Sequence, residues 1–181
     1  LVFVNLDEGA PPLLDALGVP GQELHDQIGG GAGVGDVHLV DRRWTDVEGN
    51  WKLTVDANIE TYHVNTVHRD SAAIVLDQAA TGIFLLPGGH SRMLVHSREE
   101  QGFHLDLPAF PGASPLANCG IYSYHLFPNT SIVFGGTPAL AFLISSWPLG
   151  LVRSRYDVHF LAATPADGPH AGLIGALVDA N

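Results

Sequence analysis

The apolar positions of the chain fall into two textures that divide near residue 81. Beyond it, short apolar segments recur between Gly, Pro and Asn, at residues 82–86, 92–96, 120–127, 130–134, 140–147 and 153–162. Runs of this length and spacing predict the strands of one antiparallel sheet. Before it the pattern is mixed. Residues 1–6 (LVFVNL) and 37–40 (VHLV) predict strands, being short and rich in β-branched and aromatic side chains. Residues 11–18 (PPLLDALG) predict a short helix, with Pro near its start and Gly at its end. Residues 29–35 (GGGAGVG) lack the spacing of a dinucleotide loop and the lysine of a phosphate loop, and predict a flexible connection. Residues 44–56 lead into a helical stretch ending near His68, and a last helix begins near Ala171. The sum is an α+β fold, a curved antiparallel sheet with helices packed on it.

Composition removes several classes of function. The net charge is −11, from 8 Lys and Arg against 19 Asp and Glu. Nucleic acid is therefore not an expected partner, because no basic stripe exists to gather phosphates. No apolar run is long enough to span a bilayer, and residues 1–5 lack the basic start of a signal peptide. With one cysteine, Cys119, the chain can form no internal disulfide and suits a reducing cytoplasm. One cysteine also cannot hold an iron–sulfur cluster. The chain opens on Leu1 and stops inside an apolar helical pattern at residues 173–181, so both ends are expected to be cuts in a longer protein.

Ligand-capable side chains concentrate in residues 50–70. His63 and His68 are five apart, which on a regular helix turns them about 140° from one another. They converge on one ion only across a widened or broken turn, of the kind found at functional sites. The β-branched Val64, Thr66 and Val67 make such a break cheaper. On spacing alone, two ordinary histidines account for the pattern better than a ligand pair does. Glu60, three residues before His63, is placed to orient an imidazole by accepting its N–H, or to be a solvated carboxylate. Asp56 is a weaker candidate for a similar supporting role, and Tyr62 is expected in the core.

The run Asn50-Trp51-Lys52, then Asp56, then Glu60-Thr61-Tyr62-His63 and His68 resembles the metal-binding helix of the large (alpha) subunits of Rieske-type ring-hydroxylating oxygenases. Residues 1–13, Gly89-His90-Ser91-Arg92-Met93 and Phe127-Pro128-Asn129, with Pro148 downstream, add weaker landmarks of that family's large subunit. The resemblance implies a helix-grip catalytic domain over residues 37–181, preceded at 1–36 by the end of a Rieske domain and a linker. It implies a mononuclear Fe(II) with open positions for O2, held by His63, His68 and one carboxylate. It makes Glu60 the bridge for electrons from a neighbouring subunit's [2Fe–2S] Rieske cluster. Those electrons come ultimately from NAD(P)H through a reductase, directly or by way of a ferredoxin. The implied assembly is a homo-oligomer, a trimer of alpha subunits alone or with three beta subunits. The implied reaction is hydroxylation or oxidative demethylation of an aromatic or other hydrophobic small molecule.

Two elements of the family pattern do not fall in residues 1–181. The cysteine–histidine pairs of the cluster are expected before residue 1, and the carboxylate ligand beyond Asn181, with Asp179 as an alternative inside the chain. For substrate contacts the candidates are His90, Arg92, Phe127 and Asn129, with Phe103, Phe134, Phe142 and Trp147 as further aromatic linings or core. A non-enzymatic helix-grip ligand carrier is the rival reading, and it has no need of the Glu60, His63 and His68 set. A zinc hydrolase is disfavoured, since no H-E-x-x-H pattern is present.

Overall fold

The computed structural model describes residues 4–29, 37–98 and 106–179. Seven strands form one antiparallel sheet: β1 (His38–Val47), β2 (Leu76–Leu85), β3 (Ser91–Ser97), β4 (Gly120–Leu126), β5 (Thr130–Gly135), β6 (Leu140–Gly150) and β7 (Arg153–Ala162). Their spatial order is β1-β7-β6-β5-β4-β3-β2. From β2 to β7 each strand therefore pairs with its neighbour in sequence, and only β1 crosses to the far edge, beside β7. Five helices accompany them: α1 (Leu13–Gly29), α2 (Trp51–Ile59), α3 (Val64–Val67), α4 (Ala72–Val75) and α5 (Ala171–Asp179). The α+β class expected from the sequence is the one observed. Among the described residues, no helix is long and apolar enough to cross a membrane.

Alternation along the strands gives the sheet two covered faces. Tyr122, Tyr124 and Leu126 of β4 join Phe134, Ala141 and Leu143 in a core that α1 covers with Leu17, Leu24 and Ile28. The alternate residues of β4, Ile121 and Ser123, face the other side, toward α2, α3 and α4. There α5 packs Ile174 and Val178 on Leu140, Phe160 and Ala162. The α1 face is pinned by a polar cluster in which the Tyr124 hydroxyl donates to Glu23 and accepts from Gln27 Nε2 at 2.9 Å. Arg92 reaches the same Glu23 at 2.8 Å.

Several elements differ from their sequence expectation. Residues 1–3, the glycine run at 30–36 and Phe103 lie outside the described residues. Residues 4–6 form no strand, and Val4 and Leu6 are exposed at 78% and 94%. The helix at residues 11–18 does stop at Gly18, whose φ of +58° and ψ of −136° break it, but it resumes from Pro20 to Gly29. Strand β1 runs on to Val47, through the stretch expected to lead into a helix, because β7 pairs with it along its length. Arg153 and Arg155 of β7 hold Asp46 of β1 at 2.7 and 2.8 Å. Strand β2 begins at Leu76, earlier than its apolar pattern.

Candidate metal centre

Helix α2 starts where Asn50 caps it, its Oδ1 accepting the Lys52 amide at 3.1 Å. The other arm of the Asn50 amide donates to the Leu151 carbonyl at 2.8 Å, tying the helix start to the β6–β7 turn. Farther along, Thr54 donates to Ser146 Oγ at 2.8 Å, and the Tyr156 hydroxyl donates to Asn58 Oδ1 at 3.1 Å. These bonds lay α2 across β6 and β7 and fix where its C-terminal end points.

The helix then breaks. Glu60 is extended, with φ −135° and ψ 173°, and a turn closed by the Val64 amide on the Thr61 carbonyl reverses the chain. His63 and His68 flank the single turn α3 as its first and last capping residues. Beyond it the Ala73 amide reaches back five residues to the His68 carbonyl at 3.0 Å. Between the two histidines, however, the backbone stays helical, with the Val67 amide on the His63 carbonyl at 2.7 Å and the His68 amide on the Val64 carbonyl at 3.1 Å, so the widened or broken turn expected between them is not there. The side chains converge across this regular turn. The two imidazole centroids lie 5.2 Å apart with planes at 70°.

Glu60 clasps His63 from behind. One carboxylate oxygen accepts the proton of His63 Nδ1, and the other accepts the Tyr62 amide, with the His63 amide at 3.4 Å. Burial pushes the Glu60 carboxyl up, but the bonds from the His63 ring and the Tyr62 amide outweigh it and hold it below its ordinary value. An ionised Glu60 fixes the proton on Nδ1, so the lone pair of His63 lies on Nε2, the form in which a histidine binds a metal. Tyr62 itself is 82% exposed, outside the core in which its aromatic ring is expected.

Both histidines and Glu60 line a cavity of about 540 Å³ between the broken helix and the sheet. Its floor is apolar, with Met93 and Val95 of β3, Ile121 of β4, Val133 of β5 and Phe142 and Ile144 of β6, and Leu177 of α5 closes one side. That volume suits a small organic molecule. The residue pattern alone does not mark Ser123 or Thr137 as cavity residues, because strand register decides which face each one takes.

The other candidates sit elsewhere. Asp56, His90 and Phe127 line a second recess of about 440 Å³ beside α2. There His90 is buried and its Nδ1 accepts the Phe127 amide at 3.0 Å. Arg92 points to the α1 face, bound to Glu23 and stacked over Phe84 at 5.2 Å. Asn129 donates to the Ser146 carbonyl at 3.1 Å. None of His90, Arg92, Phe127 and Asn129 lines the cavity at the two histidines. Of the aromatic candidates, Phe142 lines it, Phe134 is in the α1-side core and Trp147 is half exposed. Asp179, 78% exposed, is paired with Arg43 at 2.6 Å. Among the described residues no set of three His, Cys, Asp or Glu side chains is arranged to hold a metal ion. Two imidazoles on the wall of one cavity, one with its Nε2 lone pair free, have the chemistry of a pair of metal ligands.

Solved structures share this fold. The quaternary ammonium Rieske monooxygenase CntA, in complex with the inhibitor MMV12, matches with a TM-score of 0.73 at 16% identity, over 97% of this chain and 42% of that one. Naphthalene 1,2-dioxygenase from Rhodococcus sp. bound to indole matches with a TM-score of 0.65 at 21% identity, over 92% of this chain and 43% of that one. The chain thus spans less than half the length of these structures, and at such identities the likeness establishes the fold. No curated protein sequence matches it. The family model of the ring hydroxylating alpha subunit (catalytic domain) matches residues 34–176, most of the chain, which therefore belongs to that family.

Proposed function

We propose that this chain forms the oxygen-activating and substrate-binding part of a terminal oxygenase, with His63 and His68 as two protein ligands of a mononuclear Fe(II). The observation that carries the reading is the pair of imidazoles brought to 5.2 Å at the wall of a largely apolar cavity, one of them held by a carboxylate. When bound, ferrous iron supplies the redox chemistry that activates O2. The residues of this chain do the rest. Glu60 keeps the proton of His63 on Nδ1 and so keeps Nε2 free. The apolar floor excludes water around the site and gathers a hydrophobic or aromatic molecule for hydroxylation or oxidative demethylation. The carboxylate ligand is proposed to lie beyond Asn181, since Asp179 is engaged with Arg43.

Glu60, 21% exposed and next to the exposed Tyr62, is proposed as the entry point for electrons from a [2Fe–2S] Rieske cluster of a neighbouring subunit. That cluster belongs to a domain whose end, with a linker, occupies residues 1–36, and NAD(P)H feeds it through a reductase or ferredoxin. The route requires an oligomer, proposed as a trimer of alpha subunits. Breakdown of aromatic compounds in the cytoplasm is the setting that fits. The test is metal analysis of the full-length protein. The reading expects iron–sulfur absorption plus one further iron per subunit, with His63→Ala and His68→Ala losing that further iron and keeping the absorption. Zinc in its place, or variants that keep all their iron, would overturn it.

A further inference from the structure

The cavity wall narrows what the substrate is, on the reading that this cavity is the oxygenase's substrate site. All 8 Lys and Arg side chains of the chain are placed elsewhere. Arg42 pairs with Asp157, Arg43 with Asp41 and Asp179, Arg92 with Glu23, and Arg153 and Arg155 with Asp46. Arg98 donates to the Ala73 carbonyl, Arg69 lies beside Asp70, and Lys52 borders the second recess. An anionic ligand therefore finds no side-chain cation in the wall. Among the described residues a cationic ligand finds one carboxylate, Glu60, already occupied by His63 and Tyr62, and one aromatic ring, Phe142, where an aromatic cage needs several. With a ferrous ion at the histidines, Glu60 and the carboxylate ligand offset its two charges. A charged ligand of either sign loses its hydration here without a partner among the described residues.

The polar groups of the wall are nearly all spoken for. Asn58 bonds the Thr54 carbonyl and Tyr156, Thr61 bonds Thr81, Ser71 bonds the His68 carbonyl, and Thr137 accepts the Ala139 amide. Glu60 and His63 bond each other. Among the described residues, the cavity's polar side chains without such a partner are His68 and Ser123. His68 is assigned to the metal. Ser123 is 3% exposed, in the middle of β4, opposite Met93 on β3 and Val133 on β5. A lone hydroxyl opening onto an apolar floor, with no protein partner, calls for a partner that enters with the ligand.

We propose that Ser123 is a specificity-determining residue and that the substrate is uncharged, an apolar skeleton with one neutral hydrogen-bonding group that meets the Ser123 hydroxyl. A hydroxyl, ether or carbonyl group serves, because the serine both donates and accepts. Equilibrium dialysis on the full-length, Fe(II)-loaded protein tests this with naphthalene, 1-naphthol and 1-naphthoate as probes of one ring system. In Ser123→Ala the ratio of 1-naphthol to naphthalene affinity falls by a factor of roughly five, the worth of one ordinary hydrogen bond. Naphthalene binding is retained, which reports an intact cavity, and 1-naphthoate binds the wild type more weakly than 1-naphthol does. An unchanged ratio, an equal loss of both neutral probes, or 1-naphthoate binding as tight as 1-naphthol overturns the proposal. Iron content of the same samples separates the two ideas. Wild type without iron sinks the oxygenase reading, whereas iron present with no Ser123 effect sinks only this one.

Discussion

Replacing Glu60 with glutamine keeps the size of the side chain and removes the charge from the clasp on His63. In the wild type one carboxylate oxygen takes the His63 Nδ1 proton and the other takes the Tyr62 amide, with the His63 amide nearby at 3.4 Å. Glutamine has a single carbonyl oxygen. If that oxygen stays on His63, its NH2 faces the Tyr62 N–H, donor against donor. Either orientation leaves one donor without its acceptor, at about 1–3 kcal/mol if it stays buried. The surviving bond to the ring also becomes neutral, at roughly half the strength of the charge-assisted one. Removing the carboxylate behind a metal-binding imidazole lowers metal affinity by about 10- to 100-fold, equivalent to about 1.4–2.7 kcal/mol. Anaerobic competition of Fe(II) between the protein and a chelator measures this directly, with Glu60→Gln against wild type. An affinity for iron within about twofold of wild type would refute the orienting role, since that role predicts at least a tenfold loss.

Three further outcomes follow from the packing and charges. Asp157, with a 7% exposed side chain, is held below the usual carboxylate range by its hydrogen bonds from Arg42, against the upward push of burial. Its folded pKa is depressed, so its contribution to stability is present above the unfolded value of about 3.9 and is lost as pH falls through the folded one. The gap in urea midpoint between wild type and Asp157→Asn should close on acidification, and a gap that stays constant contradicts the pairing. Tyr124→Phe removes the hydroxyl that Gln27 Nε2 reaches at 2.9 Å and leaves a buried amide without that partner. A loss of about 1–3 kcal/mol in urea unfolding is expected. In Gly135→Ala the new Cβ meets Phe142 Cε2 at 2.4 Å, so the ring must swing and the cavity changes shape. Naphthalene affinity should fall and recover when Phe142→Leu is added.

The fold is legible where strands carry their own punctuation. The apolar pattern bounds a strand at residues 153–162, and Arg153–Ala162 is β7. It is illegible where tertiary pairing makes the strand. Trp44 to Val47 of β1 carries Asp46, whose bonds to Arg153 and Arg155 come from β7 and leave no local apolar period to read. At the candidate site the spacing of His63 and His68 calls for a broken turn between them, yet that turn is regular helix and the break falls before it, at Glu60. The extended Glu60 ends α2 before His63, and the five-residue reach of Ala73 lies beyond, closing on the His68 carbonyl. The cavity floor is a different matter. His90, Arg92, Phe127 and Asn129 resemble ligand contacts because they sit in motifs, whereas nothing in the local pattern singles out Ser123. Only the register of β4 against β3 and β5 turns Ser123 inward, and that register is a property of the whole sheet.

The central claim is that His63 and His68 hold iron in the cavity. Anomalous scattering at the iron edge from crystals of the full-length protein tests it most directly. The account predicts an iron peak between the two imidazoles, distinct from the paired peaks of an iron–sulfur cluster. An iron edge signal confined to the cluster, with none at His63 and His68 in an iron-replete sample, would contradict it.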